Sequence, residues 1–382
     1  MRVLHVITGL DAGGAEHQLR VLLRRLPYDC EVVTLTPPGT VAAAIRAGGV
    51  PVHELAMSSN HDLRALGGLR RLIRSGRYDV VHCHLYRACL FGRVAAWLAR
   101  VPAIVATEHS LGDGVIEGRR ASLGVRLLYV ATERLGHATV AVSAAVAGRL
   151  RAWRVPERRI SVLPNGIEAG EFTFDPVLRR RVRARLGIPQ DAVVVGGVGR
   201  LEPGKRFDRL IRAVAEIPGV LLLLAGDGPA RAALEQVAAM HGVAGRVVFA
   251  GAVPHARGML CAMDVFASPS DSETFGLAVL EALACGLPAL YATCPPLDEL
   301  TRPGRPGPEG APGARRLSTY PEALPRTLRA ELACLTERGG GRLPVPPLVA
   351  RFGTATLADS IGRLYERLST RQRPLQMNGA SR

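Results

Sequence analysis

Residues 193–205 read Val-Val-Val-Gly-Gly-Val-Gly-Arg-Leu-Glu-Pro-Gly-Lys, a β-branched run that ends in a glycine turn just ahead of a helical pattern over Arg206 to Glu216. A strand, a glycine turn and a helix in that order open a βαβ unit, because parallel strands need a crossover. The alternation continues downstream with strands at Val220 to Ala225, Val247 to Ala250, Val265 to Ser268 and Pro288 to Tyr291, separated by helices such as Ala230 to Met240. Upstream it has already run once. Strands are expected at Val3 to Thr8, Cys30 to Leu35, Val80 to His82, Ala103 to Thr107, Ala138 to Val142 and Ile160 to Leu163. Helices are expected at Ala15 to Leu26, Leu63 to Ser75, Ala88 to Leu98 and Ala144 to Arg151. The expected fold class is α/β, two doubly wound parallel-sheet domains with a cleft between them. The first covers 1–168 and the second 178–349, with a polar, proline-marked linker near residues 166 to 178 and the basic helix Val177 to Leu186 at its end. Arg302 to Gly313 reads as a loop, Pro321 to Thr336 and Pro347 to Leu368 as helices, and 370–382 as a flexible tail.

The 382 residues suit two or three domains at roughly 100 to 200 residues each. With 48% hydrophobic and 21% charged residues and a mean hydropathy of +0.15, the composition is that of a globular chain. No apolar run reaches the ~18 residues of a spanning helix, and Val3 to Leu10 is too short and wrongly flanked for a signal peptide. A cytoplasmic protein is expected. Cys30, Cys83, Cys89, Cys261, Cys285, Cys294 and Cys334 form no CxxC pair and suggest neither a disulfide framework nor a thiolate zinc site. The net charge of +16 points to an anionic partner, or to drift in a composition that contains 48 arginines and one lysine. Where arginine stands nearly everywhere, the lone Lys205 suggests a task for a compact ammonium.

In open parallel sheets, ligands sit beyond the carboxyl ends of strands. Thr8-Gly9-Leu10-Asp11-Ala12-Gly13-Gly14-Ala15-Glu16 lies there; its amides suit an anion, a plain turn reads equally well, and the glycines miss the dinucleotide fingerprint. Arg200 and Lys205 flank the second glycine turn, a forked donor and a mobile ammonium suited to two adjacent phosphates, without Walker A spacing. Glu273 and Glu281, eight apart, are expected on nearly one helix face, where they would accept sugar hydroxyls beside the amides of Phe275, Gly276 and Leu277; the alternative is a capping acid and an ordinary repeat. Ala225-Gly226-Asp227-Gly228-Pro229 and Leu163-Pro164-Asn165-Gly166-Ile167 read as turns. His82-Cys83-His84 and Glu108-His109 close two strands. Neighbouring strand residues face opposite ways and no carboxylate is spaced to complete a site, so no metal is expected, and the histidines are structural or bind substrate.

Taken together these stretches resemble the retaining family 4 glycosyltransferases of the GT-B fold. The matching pieces run in order from Gly13-Gly14-Ala15-Glu16 through Asp79-Val80-Val81-His82-Cys83-His84, Glu108-His109, Val142-Ser143 and Pro164-Asn165-Gly166-Ile167. They continue with Gly199-Arg200, Lys205, Gly226-Asp227-Gly228-Pro229, Glu273-Thr274-Phe275-Gly276-Leu277 and Glu281. The resemblance implies two Rossmann-like domains, an N-terminal acceptor domain completed by the C-terminal helix 350–369 and a C-terminal nucleotide-sugar domain. It implies that Arg200 and Lys205 hold the diphosphate and Glu281 the ribose hydroxyls. Glu273 and the Phe275 to Leu277 amides would position the donor sugar, with Gly14 approaching phosphate and sugar and His109 contacting the sugar near the reacting carbon. His109, Glu273, Arg200 and Lys205 are then the catalytic set, and Gly13, Asn165, Gly226, Asp227 and Thr274 further donor contacts. No cofactor is implied, since the nucleotide-sugar is a substrate. The stretch Cys294-Pro295-Pro296-Leu297-Asp298-Glu299 departs from relatives that carry a glycine pair there.

The function expected is a metal-independent retaining transfer, from a UDP-sugar above all, to a hydroxyl of a cell-envelope, lipid-linked or secondary-metabolite acceptor. The alternatives are a GDP-mannose-dependent transferase, a nucleotide-sugar epimerase or hydrolase, and a non-catalytic binder of anionic surfaces. Nucleic acid is not an expected partner, with aromatic residues at only 4%. Arg119, Arg120 and Arg126 beside apolar residues allow peripheral contact with the inner face of a membrane.

Overall fold

A strand buried on both faces is mostly apolar, and β1 (Arg2–Ile7) shows this, with Val3, Leu4, Val6 and Ile7 fully buried and His5 the one buried polar residue among them. The computed structural model describes residues 1–11, 13–59, 62–112, 114–116, 119–300, 308, 311–318 and 323–370. The chain divides into two units, Met1–Gly166 with Thr354 onward, and Ile167–Gly353.

In the first unit β1 is followed by α1 (Gly14–Leu23), β2 (Asp29–Thr34), α2 (Thr40–Ala47), β3 (Val52–Glu54), α3 (Leu63–Gly76) and β4 (Val80–His84). Then come α4 (Tyr86–Leu98), β5 (Ala103–Glu108), the small hairpin β6 (Val115–Ile116) and β7 (Arg119–Arg120), α5 (Leu123–Glu133), β8 (Ala138–Ala141), α6 (Ala144–Ala152) and β9 (Ile160–Val162). The seven-stranded parallel sheet has the order β3-β2-β1-β4-β5-β8-β9, which reverses direction between β1 and β4. Right-handed crossovers therefore put α1 and α2 on one face and α3 to α6 on the other. The C-terminal helix Thr354–Thr370 joins the α1 face, where Ile361, Leu364 and Tyr365 pack with Val3, Ile7, Leu19 and Leu22. The sequence expectation omits α2, β3, the hairpin and α5. It also runs Pro347 to Leu368 as one helix, whereas the chain makes one turn at Pro347–Ala350, crosses between the units at Gly353, and starts a new helix at Thr354.

The second unit contains α7 (Pro176–Arg185), β10 (Val193–Val198), α8 (Phe207–Ala215), β11 (Val220–Ala225), α9 (Arg231–Met240), β12 (Val247–Gly251) and α10 (Arg257–Ala262). It continues with β13 (Val265–Ser268), α11 (Leu277–Ala284), β14 (Ala289–Tyr291), α12 (Pro295–Asp298), β15 (Ala314–Arg316) and α13 (Ala323–Glu337). Its six parallel strands run β12-β11-β10-β13-β14-β15, reversing between β10 and β13. Part of the basic character is structural: Arg179 and Arg183 of α7 bind the two oxygens of Asp264 at 2.8 and 2.9 Å, and the same carboxylate accepts the Val194 amide at 2.8 Å. These bonds tie α7 to the starts of β10 and β13. Most of the loop expected over Arg302 to Gly313, and the tail from 371, lie outside the described residues.

Candidate functional site

A doubly wound sheet opens a crevice at the carboxyl ends of the two strands flanking its reversal point. In the second unit those strands are β10 and β13. The loop after β10 carries Arg200 and Lys205, and the loop after β13 carries Glu273. The two loops meet: Lys205 Nζ donates to Glu273 Oε1 at 2.7 Å, a pair whose side chains are 29% and 12% exposed. One of the three ammonium protons is thus engaged, and two remain for other acceptors. Arg200 stands farther out, 60% exposed, 3.2 Å from Glu202.

Close packing sets the shape of these loops. A Cβ on Gly197 would come within 2.6 Å of the Phe207 ring, and one on Gly226 within 1.9 Å of the Gly199 carbonyl oxygen. The turns after β10 and β11 therefore touch backbone to backbone, and the Gly199 amide donates to the Ala225 carbonyl at 3.0 Å. Gly226 has a steric role of its own, and Asp227 accepts the Gly228 amide at 2.8 Å while its carboxylate stands 3.9 Å from Arg231. Neither fact depends on a ligand.

The structure changes the relation between Glu273 and Glu281. The helix α11 begins only at Leu277, after Gly276 takes a left-handed conformation at φ +95°, so Glu273 belongs to the preceding loop and the two carboxylates do not share a helix face. Glu281 lies in the second turn, partly buried, and desolvation pushes its carboxyl up to about 7. Phe275 is buried and packs edge to face on Phe352 at 5.7 Å, so its side chain anchors the loop and leaves the backbone amides as its polar contribution. The departing stretch after β14 folds as α12, with the Cys294 amide bound to Asp298 at 3.0 Å. Cys294 is fully buried against this loop; a Cβ on Gly276 would lie 2.8 Å from its Sγ.

In the first unit the reversal lies between β1 and β4, and the polar side chains gather beside it. His5, His82 and His84 are buried on the face that the C-terminal helix covers. His82 bonds Tyr365 through Nδ1 and Thr107 through Nε2, both at 2.6 Å. His84 lies 3.1 Å from His5 and 3.2 Å from His109. Burial lowers the basicity of all four imidazoles, His5 to about 3 and His109 to about 4, with His82 and His84 well below the usual range; neighbouring rings depress these last two further. Glu108 turns to the opposite face, where it accepts the Tyr129 hydroxyl at 2.7 Å, so it and His109 do not act together.

His109 and Asn165 line a small cavity with Gln18, His84, Thr107 and Leu357. Gln18 clamps the Asn165 turn by a two-way bond to Gly166, 2.7 Å to its carbonyl and 2.9 Å from its amide. Gly13 caps α1 and Gly14 starts it. His5, Thr107, Tyr365 and Gln18 were not singled out from the sequence; the paired register of β1 and β4, which sets His5 beside His82, could have found the first. Nitrogen atoms of His5, His82 and His84 fall within 4.8 Å of one another, but a cation there would have to displace Tyr365 or Thr107 from His82.

Of the arginines near apolar residues, Arg120 is exposed and Arg126 bonds the Ala152 carbonyl. Beside them α5 turns Leu123, Leu127 and Leu128 outward, 71%, 60% and 51% exposed. Among the described residues no helix is long and apolar enough to cross a membrane.

Comparison with known proteins gives two family matches, Glycosyltransferase Family 4 over residues 12–171 and Glycosyl transferases group 1 over residues 179–312. The chain is 33% identical over 371 residues to a D-inositol 3-phosphate glycosyltransferase of Acidothermus cellulolyticus, covering 84% of this chain and 80% of that protein. It is 37% identical over 242 residues to the protein of the same name from Mycolicibacterium smegmatis, covering 57% of this chain and 52% of that one. Among solved structures, Anabaena HepE in complex with UDP and glucose superposes with a TM-score of 0.81 at 21% identity, over 96% of this chain and 100% of that one.

Proposed function

The chain belongs to the family 4 glycosyltransferases, with the GT-B fold, and transfers a sugar from a nucleotide-sugar; within that activity we propose that the donor is a UDP-sugar, that configuration at the transferred carbon is retained, and that no metal takes part. The observation that carries this reading is the Lys205–Glu273 pair across the reversal point of the second sheet. An ammonium held at 2.7 Å by a carboxylate, with the exposed Arg200 fork on the same loop, supplies the positive charge a leaving diphosphate needs. Glu281 accepts the ribose hydroxyls once ionised, and Glu273 with the Phe275 to Leu277 amides orients the donor sugar. His109 is read as a contact to the transferred sugar and Asn165, which lines the same small cavity, as a further donor contact. In the transfer, the bond from the anomeric carbon to the phosphate oxygen breaks as the acceptor oxygen bonds the same face. The acceptor proton passes to the departing phosphate oxygen.

Two relatives named for D-inositol 3-phosphate make a phosphorylated cyclitol the first acceptor to try. Mass spectrometry of reactions with UDP-sugars and GDP-mannose, with and without that acceptor, is expected to give a glycoside from the UDP-sugar only when acceptor is present, with the donor's anomeric configuration. Free sugar or an epimerised donor formed without acceptor would instead assign a hydrolase or epimerase.

A second reading, a lipid-linked acceptor met at an anionic bilayer, is favoured by the exposed leucines of α5 between Arg120 and Arg134. It expects co-sedimentation with phosphatidylglycerol vesicles that Leu123→Ser with Leu127→Ser abolishes. Equal sedimentation of both proteins, or of neither, would sink it.

A further inference from the structure

Three consecutive residues of the loop after β10 meet the loop after β13. The Asp271 amide donates to the Gly204 carbonyl at 3.2 Å, Lys205 Nζ donates to Glu273 Oε1 at 2.7 Å, and Arg206 Nη1 donates to Asp271 Oδ2 at 2.7 Å. The other oxygen of that carboxylate, Oδ1, takes Arg209 Nη1 at 2.9 Å. Both oxygens of Asp271 are thus held, by two guanidiniums three positions apart at the start of α8, and its main chain is held as well. Arg206 Nε lies 3.2 Å from Asp208, which fixes the fork from its other side.

The backbone at Arg206 is left-handed, at φ +53°, a conformation that favours glycine. It joins the short turn Pro203–Lys205 to α8, so the residue next to Lys205 carries both the change of direction and the link to Asp271. Glu273 depends on such a link, because it lies in an irregular stretch between the end of β13 at Ser268 and the start of α11 at Leu277. Phe275 anchors the far end of this stretch on Phe352, and Asp271 anchors the near end on α8. Lys205 has a flexible four-carbon stem, so the place of its ammonium is set by the carboxylate it meets. Ion pairs as exposed as this one, 30% for Arg206 and 48% for Asp271, add little to global stability, whereas a charge displaced at a reacting centre is felt directly in the rate.

We propose that Arg206 and Asp271 are positioning residues, whose ion pair clamps the two loops together and so sets the Lys205 ammonium where the leaving diphosphate needs it. The functional half rests on the reading of Lys205 as the cation that holds the diphosphate.

Lys205 is the only lysine in the chain, so the full chain labelled with ¹³Cε-lysine gives a single side-chain signal that reports the contact with Glu273 and needs no assignment. Glu273→Gln supplies the reference for this lysine without its carboxylate. Arg206→Gly suits the left-handed backbone and removes only the side chain; Asp271→Asn removes the charge. Each is expected to shift the lysine signal most of the way to that reference, to lower kcat about tenfold and to leave KM for the acceptor unchanged. The double variant should be no worse than Asp271→Asn alone, as for two residues that act through one ion pair. Asp271→Glu, which keeps the charge, should restore both signal and kcat. Thermal midpoints should stay within about 3 °C of wild type, which separates a moved loop from a lost fold. A lysine signal unmoved in both Arg206→Gly and Asp271→Asn, or one that moves with kcat unchanged while Lys205→Ala is inactive, overturns the proposal. A fully active Lys205→Ala, with the lysine signal responding to the ion-pair variants as expected, would instead overturn the placing of Lys205 at the diphosphate.

Discussion

Replacing Lys205 with alanine lowers kcat/KM for the nucleotide-sugar by about 10³-fold, at the upper end of what one preorganised donor to a developing charge contributes. Two effects combine. The diphosphate loses a partly buried cation, and Glu273, only 12% exposed, is left as an unpaired carboxylate facing it. The double variant Lys205→Ala with Glu273→Gln should therefore be more active than Lys205→Ala alone, a non-additivity expected of residues in one ion pair. Lys205→Arg should not rescue, because the planar fork cannot occupy the 2.7 Å ammonium position against Glu273 while also meeting two phosphates. This is the one site where a chain with 48 arginines keeps a lysine. Steady-state kinetics of the four proteins decide the matter, and a fully active Lys205→Ala would remove this residue from the site.

Acid should unfold the first unit well before carboxylate protonation can. Four histidines, the buried His5, His82 and His84 and the half-buried His109, have basicities lowered by burial. Below their ordinary pKa of about 6.5 the unfolded chain binds protons that the folded unit refuses, so stability falls with falling pH, by about 1.4 kcal/mol per pH unit for each group. Four together remove on the order of 5 kcal/mol per unit, against a total stability of about 5 to 15 kcal/mol. The midpoint is expected near pH 5. Both tryptophans, Trp97 and Trp153, belong to the first unit, so their fluorescence reports that unit alone. His5→Leu removes one of the four titrations and should move the midpoint to lower pH. A transition centred below about pH 3, where carboxylates titrate, would contradict the burial of these rings.

The two sheets were legible because strands buried on both faces are runs of mostly apolar, β-branched residues, and because glycine turns end β1 and β10. The helix α5 was not legible for a physical reason: Leu123, Leu127 and Leu128 point outward while Thr132 and Glu133 are buried, the reverse of the usual amphipathic pattern. The short α2 follows Pro37-Pro38-Gly39, which reads as loop, and β3 has only three residues. For the candidate site, the rule of strand carboxyl ends put Lys205 and Glu273 in the loops after β10 and β13, where the structure has them. Their pairing across 68 positions depends on β10 and β13 being neighbours, which composition does not encode. Extending one helix back to Glu273 failed because Gly276 adopts a left-handed conformation and starts α11 four residues later than Glu273 would require. The histidine series stayed hidden since His5 lies in a strand where every neighbour is buried and periodicity offers no contrast.

The most direct measurement of nucleotide-sugar binding by the second unit is a thermal-shift comparison of UDP, GDP, dTDP and ADP and their sugar conjugates, at pH 6 and pH 8, on wild type and Glu281→Gln. A ligand of the folded state at about a hundred times its Kd stabilises by roughly 2.7 kcal/mol, a shift on the order of 5 °C. The carboxyl of Glu281, pushed up to about 7, is largely ionised at pH 8 and largely protonated at pH 6, and only the ionised form accepts both ribose hydroxyls. The expected result is a shift selective for UDP and its sugars, larger at pH 8 than at pH 6 in wild type and independent of pH in Glu281→Gln. No shift with any nucleotide, or a UDP shift equally pH-dependent in wild type and Glu281→Gln, would contradict it.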